Sequence, residues 1–219
     1  MRLLAEEYGP VQWEPRYEPA AELVYTILSQ HTSDLNSGRA FSRLMDRFGS
    51  LAGVAAASEE EVRDAIWTGG LAKIKAPRIK EILCKIYREV GSYDLSFLGE
   101  MPLGEAKEWL KCLPGIGPKS AAVVLCFSLG MPAMPVDTHI YRVAKRLGLI
   151  GKKVTVEKAH DVLEGLVSPG DIFTFHVYLI NHGRKICKAL QPLCDQCVLK
   201  ETCPSRNNFP SATRKMKKK

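Results

Sequence analysis

Apolar residues recur every three or four positions through most of the chain, which is the spacing of amphipathic helices. The first clear segment opens at Pro19 and places Leu23 and Ile27 on one face. A second segment begins after Ser33, whose side chain suits a helix N-cap, and continues through Phe48. These patterns predict two consecutive helices near the start of the chain.

The same periodicity continues far along the sequence. Ser58 followed by Glu61 forms a capping-box pattern, so a helix should run from there to about Trp67. Further helices are predicted over residues 75–90, 104–113, 118–129, 137–147, 155–167 and 171–181. Residues 118–129 are apolar on nearly every side after the first turn, which predicts a central, buried helix. No segment alternates as a β-strand would, so we expect an all-α fold of nine or ten helices.

The composition is that of a globular protein, because 46% of the 219 residues are hydrophobic and 25% are charged. The length suits one large or two small domains. The N-terminus turns acidic at once and lacks the apolar segment of a signal peptide. The longest stretch without charge, Ser120 to Val136, has 17 residues and is interrupted by prolines, whereas a membrane span needs about 20. We therefore expect a cytoplasmic protein without a membrane partner, nucleoid-associated if its source is a prokaryote.

Charge is distributed unevenly along the chain. The formal net charge is +7, yet residues 1–110 carry 13 basic and 17 acidic side chains, while residues 111–219 carry 18 basic and 7 acidic ones. A basic half of this kind is typical of proteins that bind polyanions such as nucleic acids.

Four of the seven cysteines cluster near the C-terminus with the spacing C-x6-C-x2-C-x5-C: Cys187, Cys194, Cys197 and Cys203. Four thiols so close in sequence, without an export signal, indicate a metal centre rather than disulfides. A single wrapped loop favours an iron–sulfur cluster, although zinc stays open from the spacing alone. The other three are expected to be small buried hydrophobes: Cys84, Cys112 and Cys126.

A glycine-rich turn separates two predicted helices over residues 113–119, Leu-Pro-Gly-Ile-Gly-Pro-Lys. Gly115 and Gly117 permit close backbone approach and positive φ angles, and Ile116 lies between them. Pro118 suits the first position of the following helix. The turn therefore resembles a helix–hairpin–helix clamp, whose backbone amides bind a DNA phosphate at a helix start.

Lys119 lies in the first turn of the helix after this hairpin. It either pairs with a DNA phosphate or acts as a nucleophile. The positive end of a helix and partial burial both disfavour an ammonium, and the neutral amine is the nucleophilic form.

Asp137 belongs to a second motif, Pro-Val-Asp-Thr-His-Ile over residues 135–140. It could cap the helix that follows, or its carboxylate could stabilise a developing sugar cation or accept a proton. Arg142 makes the same helix basic and is a candidate for contact with a phosphate backbone. His139 is either a DNA contact or a packed residue.

Together these motifs resemble the endonuclease III family of the helix–hairpin–helix DNA glycosylase superfamily. The ordered set is LSQHTSD near residue 30, Gly70-Leu71 with Lys75-Ala76, LPGIGPK, VDTHIYRV and the four cysteines. The resemblance implies a six-helix barrel domain over residues 18–131 and a helical iron–sulfur domain over 1–17 and 132–204. A [4Fe–4S] cluster would be held by the four clustered cysteines, and the basic tail, 205–219, is expected to be disordered.

The resemblance also implies the chemistry. The chain should be a monomer that binds double-stranded DNA with a damaged base or an abasic site and flips the base out of the helix. Lys119 would attack the sugar, displace the base and form a Schiff base before β-elimination, with Asp137 stabilising the sugar's positive charge. Two alternatives are a monofunctional glycosylase for mismatched thymine, uracil or adenine, and a non-catalytic DNA-binding module.

The sequence departs from the family pattern where the DNA wedge is expected. The family usually has Ala-Gln where this chain has Gln30-His31, so either residue could fill the gap left by the extruded base. Leu71 is expected to be a second wedge, and Ala72 replaces a commonly larger residue. Oxidised pyrimidines are the expected lesions, with a mismatched or deaminated base as the alternative.

Overall fold

Within residues 1–209, the part that the computed structural model describes, every regular element is a helix and no strand occurs. This confirms the predicted fold class. Eleven α-helices follow one another along these residues. They are α1 Arg2–Tyr8, α2 Pro19–Ser29, α3 Asp34–Phe48, α4 Leu51–Ala56, α5 Glu59–Ala65, α6 Ala72–Val90, α7 Leu103–Lys111, α8 Pro118–Leu129, α9 Thr138–Leu147, α10 Val156–Leu166 and α11 Ile172–Lys185.

The helices form two compact units, one of Glu14–Met131 and one of Met1–Trp13 together with the described residues from Pro132 onward. Residues 14–17, which we expected in the unit of the termini, belong to the other unit. The physical reason is Arg16, whose side chain pairs with Glu22 of α2 and whose backbone N–H donates to the carbonyl of Phe127 at 3.3 Å.

The unit Glu14–Met131 is built around α2 and α8, which pack against each other. Helix α3 lies against α2, α7 lies against α8, and α5 lies against α6. Both central helices bury most of their residues, as predicted for the apolar segment that became α8. The fully buried side chains of this unit include Leu23, Ile27, Leu28, Ile79, Ile82 and Leu83.

A buried ion pair fastens the chain to the start of α2. The Glu22 side chain is fully buried and accepts hydrogen bonds from the Arg16 guanidinium, one of them at 2.9 Å. Burial raises the pKa of Glu22, and the pairing with Arg16 opposes that shift. The guanidinium also lies over the rings of Tyr25 at 4.4 Å and Phe127 at 5.0 Å. Aromatic faces and a carboxylate together balance the buried charge.

The other unit packs α9 and α1 against α11. A glycine allows the close approach of α9, because a Cβ added at Gly183 would lie 2.9 Å from the Cβ of His139. Tyr8 of α1 contacts α11 through a hydrogen bond of 2.9 Å to Nδ1 of His182.

Two expectations about isolated residues need correction. Cys126 is buried as predicted, but Cys84 and Cys112 are exposed. Cys84 lies on the outer face of α6, whereas its apolar neighbours in sequence, Leu83 and Ile86, lie on the buried face.

Within residues 1–209, no helix is long and apolar enough to cross a membrane.

The expected disordered tail, 205–219, is structured in its first residues. Arg206–Asn208 form a short 3-10 turn, and the ring of Phe209 lies 4.3 Å from the guanidinium carbon of Arg146. Residues 210–219 lie outside the described part of the chain.

Candidate functional site

The hairpin between α7 and α8 is anchored by apolar residues and exposes backbone. Leu113 and Ile116 are buried, and the N–H of Ile116 donates to the carbonyl of Leu113 at 3.2 Å. Gly115 has a φ of +72°, which side chains rarely adopt, while Gly117 is extended with φ −98° and ψ −179°. The turn thus delivers its amides to the first turn of α8, an arrangement that favours an anion.

Lys119 follows directly, in the first turn of α8, where Pro118 occupies the first helical position. Its side chain is exposed. The partial burial that we expected for this residue is therefore absent.

Two exposed loops of the same unit contain the candidate wedge residues. His31 and Leu71 each have a φ of +52°, and they are the only residues other than glycine with a positive φ in the described chain. Leu71 is 49% exposed and His31 is exposed. The loops are neighbours, because the hydroxyl of Thr32 donates to the carbonyl of Gly69.

Lys75 joins these two loops and was not among the predicted site residues. Its side chain is only 2% exposed, and its ammonium lies within hydrogen-bond distance of atoms from both loops. Burial lowers its pKa to about 8. The signal that could have found it is its position in the apolar face of α6, one turn before Ile79, where a lysine is out of place.

Asp137 is the N-cap of α9, and its Oδ1 accepts the N–H of Ile140 at 2.7 Å. The segment before it is buried and held by side chains that sequence reasoning missed. Glu164 accepts the N–H of Met134 at 2.7 Å. The carbonyls of Met134 and Pro135 bind the rings of His160 at 2.7 Å and His176 at 2.9 Å. These contacts position the Asp137 carboxylate from the N-terminal side.

Arg142 is engaged within its own unit rather than extended toward solvent. Its guanidinium donates to the carbonyl of Gly183 at 2.8 Å and to that of Cys187 at 2.9 Å. It also lies 3.1 Å from Nδ1 of His139. The geometry therefore favours packing for His139 and a structural role for Arg142, where we expected phosphate contact.

All four clustered cysteines line one pocket, together with residues of α9 and α11. Arg146 of α9 donates to Sγ of Cys187 at 3.4 Å and to the carbonyls of Lys188 and Ala189 at 2.7 and 2.8 Å. On the other side, Nε2 of His182 lies 3.4 Å from Sγ of Cys197.

The chemistry of this pocket fits a metal cluster. Burial raises the pKa of the Cys194 and Cys197 thiols, so without a bound cation they stay protonated. No three side chains of His, Cys, Asp or Glu within residues 1–209 lie close enough together to hold one metal ion. The four thiols that line this pocket supply the ligand set that a [4Fe–4S] cluster requires.

Comparison with known proteins agrees with this geometry. A family model described as HhH-GPD superfamily base excision DNA repair protein matches residues 24–169. Endonuclease III of Thermotoga maritima is 35% identical over 187 residues, covering 85% of this chain and 83% of that protein. A solved structure of a trapped endonuclease III–DNA covalent intermediate, an estranged-adenine complex, matches with a TM-score of 0.78 at 28% identity, covering 94% of this chain and 92% of that one. A thermostable thymine-DNA glycosylase, at 20% identity and a TM-score of 0.77, shares the fold over 94% of both chains.

Proposed function

Because the chain belongs to the HhH-GPD superfamily of base excision DNA repair proteins, as an endonuclease III-like DNA glycosylase and abasic-site lyase, we propose that Lys119 is its nucleophile. The observation that carries this proposal is the place of the lysine. Its amine is exposed directly after the hairpin whose amides suit a DNA phosphate. A phosphate held there brings the neighbouring sugar within reach of Nζ.

The proposed reaction forms and breaks bonds at C1′ of the damaged nucleotide. The neutral Lys119 amine attacks C1′, the glycosidic bond breaks, and the base leaves with the bonding electrons and takes up a proton. Opening of the sugar yields the Schiff base between Nζ and C1′. Loss of a C2′ proton then expels the 3′ phosphate, which cuts the strand by β-elimination.

Asp137 is proposed to stabilise the positive charge of the sugar and to assist proton transfer. One of its oxygens is committed to the cap of α9. Among the described residues no other hydrogen bond to this carboxylate is found, so its second oxygen is the one available to substrate.

We propose oxidised pyrimidines as the substrates, on the resemblance to endonuclease III. Lys119 supports the bifunctional reaction over a monofunctional mismatch glycosylase, because a monofunctional enzyme uses water as its nucleophile. Release of thymine, uracil or adenine from mismatches without strand cleavage would contradict both parts of the proposal.

The test of the nucleophile is covalent trapping. Borohydride should reduce the Schiff base and link the protein to abasic duplex DNA, and Lys119→Ala should abolish the linkage. The matched control is Lys111→Ala, an exposed lysine of α7 that pairs with Glu108 and should trap like the wild type. Persistent trapping by Lys119→Ala would assign the amine to another residue.

Endonuclease III family members usually carry a [4Fe–4S] cluster, and we propose that Cys187, Cys194, Cys197 and Cys203 hold one here. When bound, it would hold the segment of residues 187–203 folded around it without taking part in base removal. The purified protein should be coloured and contain about four irons and four sulfides per chain, as this cluster type requires. A colourless, zinc-loaded protein would contradict the assignment.

A further inference from the structure

The two loops that contain the candidate wedge residues are held by one buried ammonium. Nζ of Lys75 donates to the carbonyl of Leu28 at 2.7 Å and to the hydroxyl of Thr32 at 2.8 Å, on either side of Gln30 and His31. It also donates to the carbonyl of Gly69 at 3.0 Å, two residues before Leu71. All three N–H groups of the ammonium therefore have an acceptor.

Both loops adopt backbone conformations that they would not keep unaided. The left-handed φ of His31 and Leu71 is unfavourable for residues with a Cβ, and it persists only where surrounding contacts enforce it. The contacts that hold these loops are the hydrogen bonds of Lys75 and the hydrogen bond from Thr32 to Gly69.

A second side chain of α6 extends the same arrangement. Arg78, one turn after Lys75, donates from Nη1 to Oε1 of Gln30 at 3.1 Å. Its Nε would lie 2.8 Å from a Cβ at Gly115, so it packs against the hairpin turn as well. The first turns of α6 thus contact both wedge loops and the phosphate-binding hairpin.

From this geometry we infer that Lys75 is a positioning residue for base extrusion: it fixes the Gln30–His31 loop and the Leu71 loop relative to each other so that both enter the duplex together. The inference rests on the proposed function, because it concerns how that glycosylase opens the duplex. Lys75 is buried and does not itself touch DNA or the reacting atoms. Its effect is confined to the unit Glu14–Met131, where all of its contacts lie.

A positioning role for Lys75 predicts different effects on paired and unpaired substrates. Extruding a paired base requires unpairing and unstacking, and this work is small when the base is already unpaired. Loss of a wedge support should therefore slow excision from an intact duplex and spare excision from an unpaired site. A residue that merely stabilises the fold would affect both substrates equally.

The test compares Lys75→Met with Lys80→Met. Lys80 is a half-buried lysine of the same helix that donates to the carbonyls of Ala55 and Ala57, away from the wedge loops. Single-turnover release of thymine glycol is measured from a fully paired duplex and from the same lesion inside a run of mismatches. We expect Lys75→Met to be slower than Lys80→Met by roughly ten- to a hundredfold on the paired duplex and within about threefold on the mismatched one. Equal losses on the two substrates, or equal losses in the two variants, would overturn the inference.

A binding readout separates this inference from the proposed chemistry. A duplex with a tetrahydrofuran abasic analogue opposite 2-aminopurine reports wedge insertion by fluorescence, without any bond breaking. Wild type and Lys80→Met should change the fluorescence, and Lys75→Met should change it by less than about half as much at saturation. If the wild type releases no thymine glycol but shows this pattern, the substrate assignment fails and the positioning role stands.

Thr32→Val provides a second variant should Lys75→Met not fold. It removes the hydroxyl shared by Lys75 and Gly69 and leaves the lysine in place. The same selective defect, smaller in size, is expected on the paired duplex. Wild-type rates on both substrates and wild-type fluorescence would overturn the inference.

Discussion

Gly115 and Gly117 are two residues apart in the hairpin and do different things. Sequence reasoning assigned both the same role, since either glycine can adopt a positive φ. Only Gly115 does so, and a Cβ there would also meet the Arg78 side chain, whereas a Cβ at Gly117 meets nothing within 4 Å. A turn motif predicts that glycines are needed, but the φ of each depends on how the chain closes.

Alanine at these two positions should separate stability from DNA binding. Gly115→Ala should lower the free energy of unfolding by about 1 kcal/mol or more, because of the positive φ and the crowding with Arg78. Gly117→Ala should leave stability within about 0.5 kcal/mol and still weaken DNA binding, since the added methyl blocks backbone approach. Urea unfolding and DNA titration of both variants check this. Equal destabilisation by the two substitutions would contradict the assigned roles.

The buried charge of Lys75 should make stability depend on pH. Burial lowers its pKa from the ordinary 10.5 to about 8, so between these values the unfolded chain binds a proton that the folded chain has released. Stability therefore rises with pH across this window, by at most about 3 kcal/mol, and the gain is lost as pH falls through about 8. In urea unfolding from about pH 7 to 10.5, the free energy of unfolding of the wild type should rise with pH relative to that of Lys75→Met, which lacks the titrating amine. A difference independent of pH would contradict the titration of a buried amine.

At the scale of helices, periodicity and capping predicted most of the long elements. Helix α3 begins after Ser33 and α5 begins after Ser58 with the full capping box, as expected. Helices α1 and α4 were not predicted, because seven and six residues are too few for a periodic pattern. Helix α6 begins at Ala72 rather than residue 75, since Leu71, in the left-handed conformation, starts it without a capping side chain.

The basic face of α9 shows where charge patterns mislead. Arg142 suggested a surface for phosphates, yet its guanidinium and that of Arg146 both bind backbone carbonyls, at the end of α11 and in the cysteine segment. The carbonyl of Gly183 is available because α11 ends at Lys185 and a helix end leaves its last carbonyls without helical partners. The carbonyls of Cys187, Lys188 and Ala189 belong to the non-helical segment that follows. The sequence does not show which basic side chains will bind the carbonyls at the end of a helix.

Two substitutions at Asp137 can separate its role as the N-cap of α9 from the role of its negative charge. Asp137→Asn keeps an oxygen that can accept the N–H of Ile140, whereas Asp137→Ala removes the cap. We expect Asn to retain wild-type stability and Ala to lose about 1 kcal/mol. Both variants should slow base release by roughly a hundredfold or more, because the carboxylate charge is gone.

Thermal unfolding and single-turnover kinetics of the two variants decide between cap and chemistry. Wild-type excision by Asp137→Asn would reduce Asp137 to a helix cap. A loss of stability in Asp137→Asn equal to that in Asp137→Ala would show that the cap needs the full charge.

On the scale of the whole molecule, the order of the motifs predicted the family, and the uneven charge predicted a polyanion as partner. The contacts that anchor loops to helices within each unit were not predictable. They depend on Lys75, His160, His176 and Glu164, whose roles come from distant chain segments meeting in the fold. Residues 210–219 add five basic side chains and no acidic one to the C-terminal half.

Truncation after Phe209 should therefore change how the protein finds DNA without changing what it does there. The slope of log affinity against log salt for undamaged duplex should become shallower by up to about 4.5, since each of the five possible phosphate contacts contributes roughly 0.9. The single-turnover excision rate at saturating enzyme should be unchanged. A slower rate at saturation would assign the tail a part in the reaction itself.

The hydrogen bonds of Lys75 to the two loops have a consequence for evolution. The ammonium binds the backbone carbonyls of Leu28 and Gly69, which every amino acid provides, so this part of the support does not depend on the side chains at positions 30 and 31. Only the hydrogen bond from Arg78 requires the Gln30 side chain. If these positions select the lesion, as we propose, mutations there will change the lesion preference while the contacts of Lys75 are retained. A duplicated gene that keeps Lys75 can thus acquire activity on other damaged bases through a few surface substitutions. In a library randomised at residues 30 and 31, we expect many variants that fold and still insert these loops into DNA.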